Sequence, residues 1–250
     1  MPERISLEVG NGIAQVRLDR ADKHNALDLA MFHALARVQR QLAARRDLRA
    51  VVLCGAGVDF CSGLDVKAAM HDRLGMVRLL WKWLPWQANL AQRAGVGWRR
   101  LRVPVIAAIH GRCWGGGLQI ALGADFRIAA PDASLSVMES RWGLIPDMGG
   151  TLALRELLGR DQAMKLAMTA EEISGERALQ LGLVTALDRE PLEAALRFAG
   201  ELAARPEAAV NGVKRLYRKS WSGGQGAALC RETAYQARIL ARFKPPRHRE

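Results

Sequence analysis

Two runs of the chain are apolar on consecutive residues rather than on alternate ones. Each ends in a glycine-bearing loop that leads towards a helical pattern. The first, residues 48–54, has Arg49 as its one polar residue and is stopped by Gly55, Ala56 and Gly57. The second, residues 103–109, is followed by His110 and Gly111. A strand with no polar face must be covered on both sides, the condition of parallel strands in an α/β domain. The rest of the pattern agrees. Residues 5–9 and 13–18 alternate around Gly10, Asn11 and Gly12, a hairpin signal. Residues 28–44 space Met31, Leu35, Val38 and Leu42 as a helix does, with Asn25 or Asp28 as N-cap. Residues 65–100 read as helix, with Trp81, Trp83 and Trp86 gathered around Pro85. Residues 126–129 and 134–137 read as short strands. After Gly150 the pattern is helical, broken near Ser174, Gly182 and Pro206. The expectation is an α/β core over 1–190 and a helical region over 191–250 that ends in a basic tail from Arg242.

Composition narrows the functional classes. No run approaches the ~18 apolar residues of a membrane span. The first residues, Met1 to Ser6, hold no apolar signal core, so a cytoplasmic protein with no membrane partner is expected. Cys54, Cys61, Cys113 and Cys230 form no C-x-x-C pair and read as buried thiols. The histidines have no i, i+4 partner, so no metal site is expected. A net charge of +12 invites nucleic acid. The Lys and Arg residues are scattered, however, and no RNA-binding motif is present, so nucleic acid is not the expected partner.

In an α/β sheet, ligands favour the loops at the carboxyl ends of the parallel strands. Two glycine segments fall there. One runs Asp59-Phe60-Cys61-Ser62-Gly63-Leu64-Asp65, and the other is His110-Gly111 followed by Gly115-Gly116-Gly117. Glycine lets backbone approach a ligand closely, and free N–H groups before a helix attract negative charge. Three readings fit the glycine triplet: a tight turn, a phosphate cradle, or an oxyanion hole with one N–H from each segment. No Lys-Ser or Lys-Thr follows and the G-x-G-x-x-G spacing fails, which weakens the cradle. Glu139 follows a short apolar strand, and residues 143–150 form a glycine- and proline-rich loop around Asp147. Taken alone, Glu139 fits a surface carboxylate and Asp147 a turn residue.

Taken together, these segments resemble the enoyl-CoA hydratase/isomerase (crotonase) family. The likeness begins at Leu18-Asp19-Arg20-Ala21-Asp22-Lys23-His24-Asn25-Ala26-Leu27. It continues through Phe60 to Asp65, His110-Gly111, the glycine triplet, Glu139 and Gly143 to Thr151, and reaches Ala178 to Val184. The resemblance implies a crotonase-like spiral of ββα units with a helical C-terminal region, assembled as a homotrimer or a dimer of trimers. It implies an acyl-CoA substrate, with coenzyme A entering as part of that substrate and no permanent cofactor. Matched position by position, the Leu64 and Gly116 N–H groups form the oxyanion hole. Coenzyme A is expected near Asp22, Lys23, His24 and Ala26, and near Ser62, Gly63, Asp65 and Val66.

One departure bears on the chemistry. Family hydratases use two glutamates to hold and activate water. The second matches Glu139, but the first falls at Gln119, whose amide can orient water and cannot take its proton. Asp147, eight residues after Glu139, matches a carboxylate of the family's dienoyl-CoA isomerases. The resulting expectation is double-bond isomerisation with Glu139 as proton shuttle and Asp147 as its partner. Its pKa would be raised by an apolar wall of Met138, Trp142 and the Trp81–Trp86 group. Alternatives are 2-enoyl-CoA hydration with Gln119 positioning water, 3-hydroxyacyl-CoA hydrolysis, and a non-catalytic relative that binds acyl-CoA or RNA.

Overall fold

A computed structural model describes residues 4–241, so the basic tail from Arg242 lies outside the described residues. Strands β1 (Ile5–Gly10) and β2 (Ile13–Leu18) form the expected hairpin, and α1 (Leu29–Ala44) follows. Asp28 caps α1 by accepting from the Met31 N–H at 2.8 Å. Asn25 is not the cap. It lies in the left-handed region at φ 55° with its side chain buried. Its Nδ2 donates to the Ala56 and Asp59 carbonyls, both at 2.8 Å, while its Oδ1 accepts from the Arg20 N–H at 2.9 Å.

The consecutive apolar runs become β3 (Ala50–Gly55) and, further on, β4 (Val105–Ile109). Between them, the expected single helix is three: α2 (Val66–His71), α3 (Arg73–Leu80) and α4 (Leu90–Arg99). Polar caps explain the breaks. Asp72 turns out of α2 and accepts from the Gly75 N–H at 2.7 Å. Asn89 and Gln92 close a reciprocal capping box at the start of α4.

Next come β5 (Arg112–Trp114), α5 (Gly116–Ala121), β6 (Phe126–Ala129) and β7 (Ser134–Ser136). The remainder is helical as expected: α6 (Gly150–Leu157) and α7 (Arg160–Thr169), α8 (Gly175–Leu181), then α9 (Pro191–Ala204), α10 (Glu207–Ser220) and α11 (Gln225–Leu240). Two strands that the pattern does not announce, β8 (Ile173–Ser174) and β9 (Ala186–Leu187), are only two residues long.

The main sheet runs β1-β2-β3-β4-β6-β9, antiparallel at the hairpin and parallel throughout the rest. A small second sheet runs β5-β7-β8. The two faces of β3 show why its apolar run has no alternation. Val51 and Leu53 enter the large core with α1, α4 and α5, while Ala50, Val52 and Cys54 meet Ala195 and Ala199 of α9. Phe126 and Phe198 pack edge to face at 5.0 Å on that second face. Helices α10 and α11 contain no buried residue and pair with each other. Cys54, Cys61 and Cys113 are buried as expected, whereas Cys230 is exposed on α11.

Gly117 packs closely against Cys61 in the loop region. A Cβ on Gly117 would stand 2.5 Å from the Cys61 carbonyl oxygen and 2.7 Å from its Cβ. Gly117→Ala is therefore expected to lower stability by about 1–3 kcal/mol through overpacking, read as a drop in melting temperature. An unchanged melting temperature would contradict this contact.

Candidate active site

The carboxyl ends of β3 and β4 release the two glycine segments side by side. Cys61 N–H donates to the Arg112 carbonyl at 2.9 Å, and Trp114 N–H returns to the Cys61 carbonyl at 3.0 Å. A third segment joins from the other side. Ser62 N–H donates to His24 at 2.9 Å, Leu27 N–H to Gly63 at 2.8 Å, and Asp65 N–H to Leu27 at 3.0 Å. Residues 24–27, 61–65 and 112–114 thus lie side by side, joined by backbone hydrogen bonds. Gly63 has φ +94°, and a Cβ there would stand 2.9 Å from the Trp114 carbonyl and 3.7 Å from the Gly116 nitrogen. Among the described residues, neither the Leu64 nor the Gly116 N–H has a hydrogen-bond partner. Their surroundings are apolar. A Cβ on Gly116 would meet Leu27 Cδ1 at 2.8 Å and Met148 Sδ at 2.9 Å. Such a pair of unspent donors can hold a developing oxyanion.

Glu139 opens a short 3₁₀ turn, Glu139–Trp142, and is buried. Its Oε1 lies 3.5 Å from where a Gly115 Cβ would be, so the carboxylate faces the turn that carries the Gly116 N–H. Gln119, on α5 and also buried, donates Nε2 to Glu139 Oε1 at 2.6 Å. The orientation of this amide is determined by its other end. Gln119 Oε1 accepts from the Met148 N–H at 2.9 Å and the Gly150 N–H at 3.0 Å. Backbone N–H groups only donate, so the amide oxygen must face them and the NH₂ must face Glu139. Glu139 Oε2 is buried with no partner. Desolvation pushes the Glu139 carboxyl above its ordinary value, and the Asp147 charge adds to the rise against the hydrogen bond from Gln119.

Asp147 is at the solvent-accessible rim, and the protein packed around it raises its carboxyl by desolvation. It lines a cavity of about 790 Å³ with Trp86, Val96, Arg100, Pro146 and Leu152. The aromatic wall expected around Glu139 is largely absent. Trp81, Trp83, Trp86 and Trp142 are all exposed, and Met138 alone of that set is buried. Trp86 instead borders the cavity on the Asp147 side.

The residues expected near coenzyme A fall on the two paired segments. Asp22, Lys23 and His24 are exposed, Ala26 is buried, and Ser62, Asp65 and Val66 are half-buried beside the buried Gly63. The Asp65 side chain is already engaged. It accepts from the Ala68 N–H at 3.0 Å and from Arg20 at 2.8 Å, which hold its carboxyl below the ordinary range against desolvation. Several framework groups carry no sequence signal as single letters. Asp59 is buried and bonded to Arg112 and to His24 Nδ1 at 2.8 Å, which fixes the outer edge of the three segments. The Met148 and Gly150 N–H groups were equally hidden, since backbone donors have no residue signature.

Comparison with known proteins places this geometry. A sequence profile of the enoyl-CoA hydratase/isomerase family matches residues 8–241. A "probable enoyl-CoA hydratase" of Rhodobacter capsulatus is 34% identical over 237 residues, covering 94% of this chain and 89% of that protein. The 1,2-epoxyphenylacetyl-CoA isomerase of Escherichia coli is 32% identical over 239 residues, covering 94% and 90%. A Thermobifida fusca protein solved in complex with acetoacetyl-CoA superposes at TM-score 0.85 with 27% identity over 96% of each chain. The paired loops, the unspent N–H groups and the buried carboxylate thus sit in a crotonase-fold enzyme, and the chain belongs to the enoyl-CoA hydratase/isomerase family.

Proposed function

We propose that the protein isomerises the double bond of an acyl-CoA thioester. The observation that carries this reading is the fixed amide of Gln119. Its oxygen is spent on Met148 and Gly150, so it offers no acceptor to a water, and its NH₂ is turned to Glu139. One buried carboxylate remains as base, with one oxygen free. In the proposed sequence, Glu139 removes a proton from the acyl carbon beside the double bond. The Leu64 and Gly116 N–H groups hold the thioester oxygen of the resulting dienolate. Glu139 or Asp147 then returns a proton at another carbon and the double bond shifts. The acetoacetyl-CoA complex of the Thermobifida relative supports a thioester of coenzyme A as substrate. The exposed Asp22, Lys23 and His24 and the segment from Ser62 to Val66 are the assigned contacts for its CoA portion. Helices α10 and α11 expose Val213, Tyr217, Trp221, Leu229 and Leu240, a face we assign to contact between copies in a trimer or dimer of trimers. Light scattering should return that mass.

The deciding experiment incubates 2-enoyl-CoA with the protein in heavy water. Deuterium at C4 without added water is the expected result, and gain of a whole water would replace this reading with hydration. Glu139→Gln should lower turnover by roughly 10²–10⁴-fold.

The raised Glu139 carboxyl also predicts a pH effect on stability. A group that is harder to ionise when folded stabilises the fold below its unfolded pKa, near the ordinary 4.5, and loses that contribution as pH rises through the folded value. Glu139→Gln should therefore melt higher than the natural chain near neutral pH, with the advantage shrinking as pH falls towards about 4.5 and constant below it. A difference that does not change with pH would contradict the assignment.

A further inference from the structure

Helix α3 and the turn after it turn their apolar residues outward. On α3, Leu74, Val77 and Leu80 are 73%, 60% and 52% exposed. Trp81, Trp83 and Trp86 follow at 64%, 87% and 80%. The inward side of α3 holds the buried Leu79. An apolar helical face at i, i+3 and i+6, continued by tryptophans around Pro85, is far larger than the scattered apolar exposure of an ordinary surface.

The charge around it is mainly positive; the acids beside it are Asp72, spent on capping α3, and Asp147 in the adjoining cavity. From Arg73 to Ala124 the chain contains no Asp or Glu and eight Lys or Arg residues. Among the described residues, Arg78, Lys82, Arg93 and Arg100 form no ion pair with any carboxylate. A second copy meeting this face symmetrically would set Arg78 and Lys82 against their own copies, with Asp72 already spent on the α3 cap. An anionic surface with an apolar interior meets both features at once. Tryptophan settles at the headgroup level of a bilayer, and Lys and Arg beside it are drawn to anionic lipid.

We propose that α3 and the Trp81–Trp86 turn seat the protein on an anionic lipid surface. The sequence alone led to the opposite expectation, no membrane partner. No described helix is long and apolar enough to cross a membrane, so the contact is peripheral. Trp86 and Lys82 also border the cavity that holds Asp147, so the seat brings that cavity to the lipid surface.

The test is co-sedimentation of the full chain with vesicles of phosphatidylcholine alone and of phosphatidylcholine mixed with phosphatidylglycerol, with tryptophan emission recorded. Binding to the anionic vesicles only, with a blue shift and weakening as salt rises, is the expected result. The Trp81→Ala/Trp83→Ala and Arg78→Glu/Lys82→Glu variants should each lose about tenfold or more of this binding at unchanged assembly mass and melting. Equal binding to both vesicles, no binding, or unchanged binding by the tryptophan variant overturns the proposal. A tryptophan variant that changes the assembly mass instead assigns the face to a second copy. Retention on immobilised polyglutamate without vesicle binding assigns it to an acidic protein.

Discussion

The site depends on how closely three stretches of backbone can lie. Gly117 against Cys61, and Gly63 against Trp114, leave no room for a Cβ. With those glycines the 24–27, 61–65 and 112–114 segments hydrogen-bond edge to edge and leave the Leu64 and Gly116 N–H groups unspent. An N–H that finds no partner in a folded protein is costly unless something fills its place. Two such groups lie in neighbouring loops, the Gly116 one beside Leu27 and Met148.

The carboxylate next to that site is held in a comparable imbalance. Burial opposes its charge, the Gln119 amide supports one oxygen, and the other is left alone. Two backbone donors fix that amide, so the loop over 147–150 decides which way the residue at position 119 can act. A carboxylate at position 119 would keep the same two donors and set oxygen against oxygen at Glu139, which requires a shared proton. The amide removes that requirement, leaving Glu139 with the Gln119 donor on one oxygen and no partner on the other.

Much of this was legible in the letters. The unalternated runs at 48–54 and 103–109 announced strands covered on both faces, and the order of short motifs announced the family. Other features depended on geometry that letters do not carry. Asp72 and Asn89 divide a long helical pattern because capping a new helix satisfies more backbone donors than continuing the old one. Asn25 and Asp28 are both good caps by type, and only the left-handed backbone at Asn25 separates a cap from a buried bridge. The strands β8 and β9 are too short to show a period. The tryptophans near Pro85 looked like a wall because aromatic residues usually seek the interior. They lie instead in the turn after α3, exposed.

The sixth strand of the main sheet and the helix over its second face come late in the chain. Ala186 and Leu187 pair with Ile128 and Ala129, and Ala195 and Ala199 cover Ala50 and Val52. Residues emerging early in synthesis therefore wait about 140 positions for their cover, and the sheet keeps an exposed apolar face until then. Contacts so far apart in sequence close slowly, because loop entropy is lost before burial repays it. For a growing chain, the hazardous interval is the one between completing β6 and completing α9, when sticky strand faces are open to other chains.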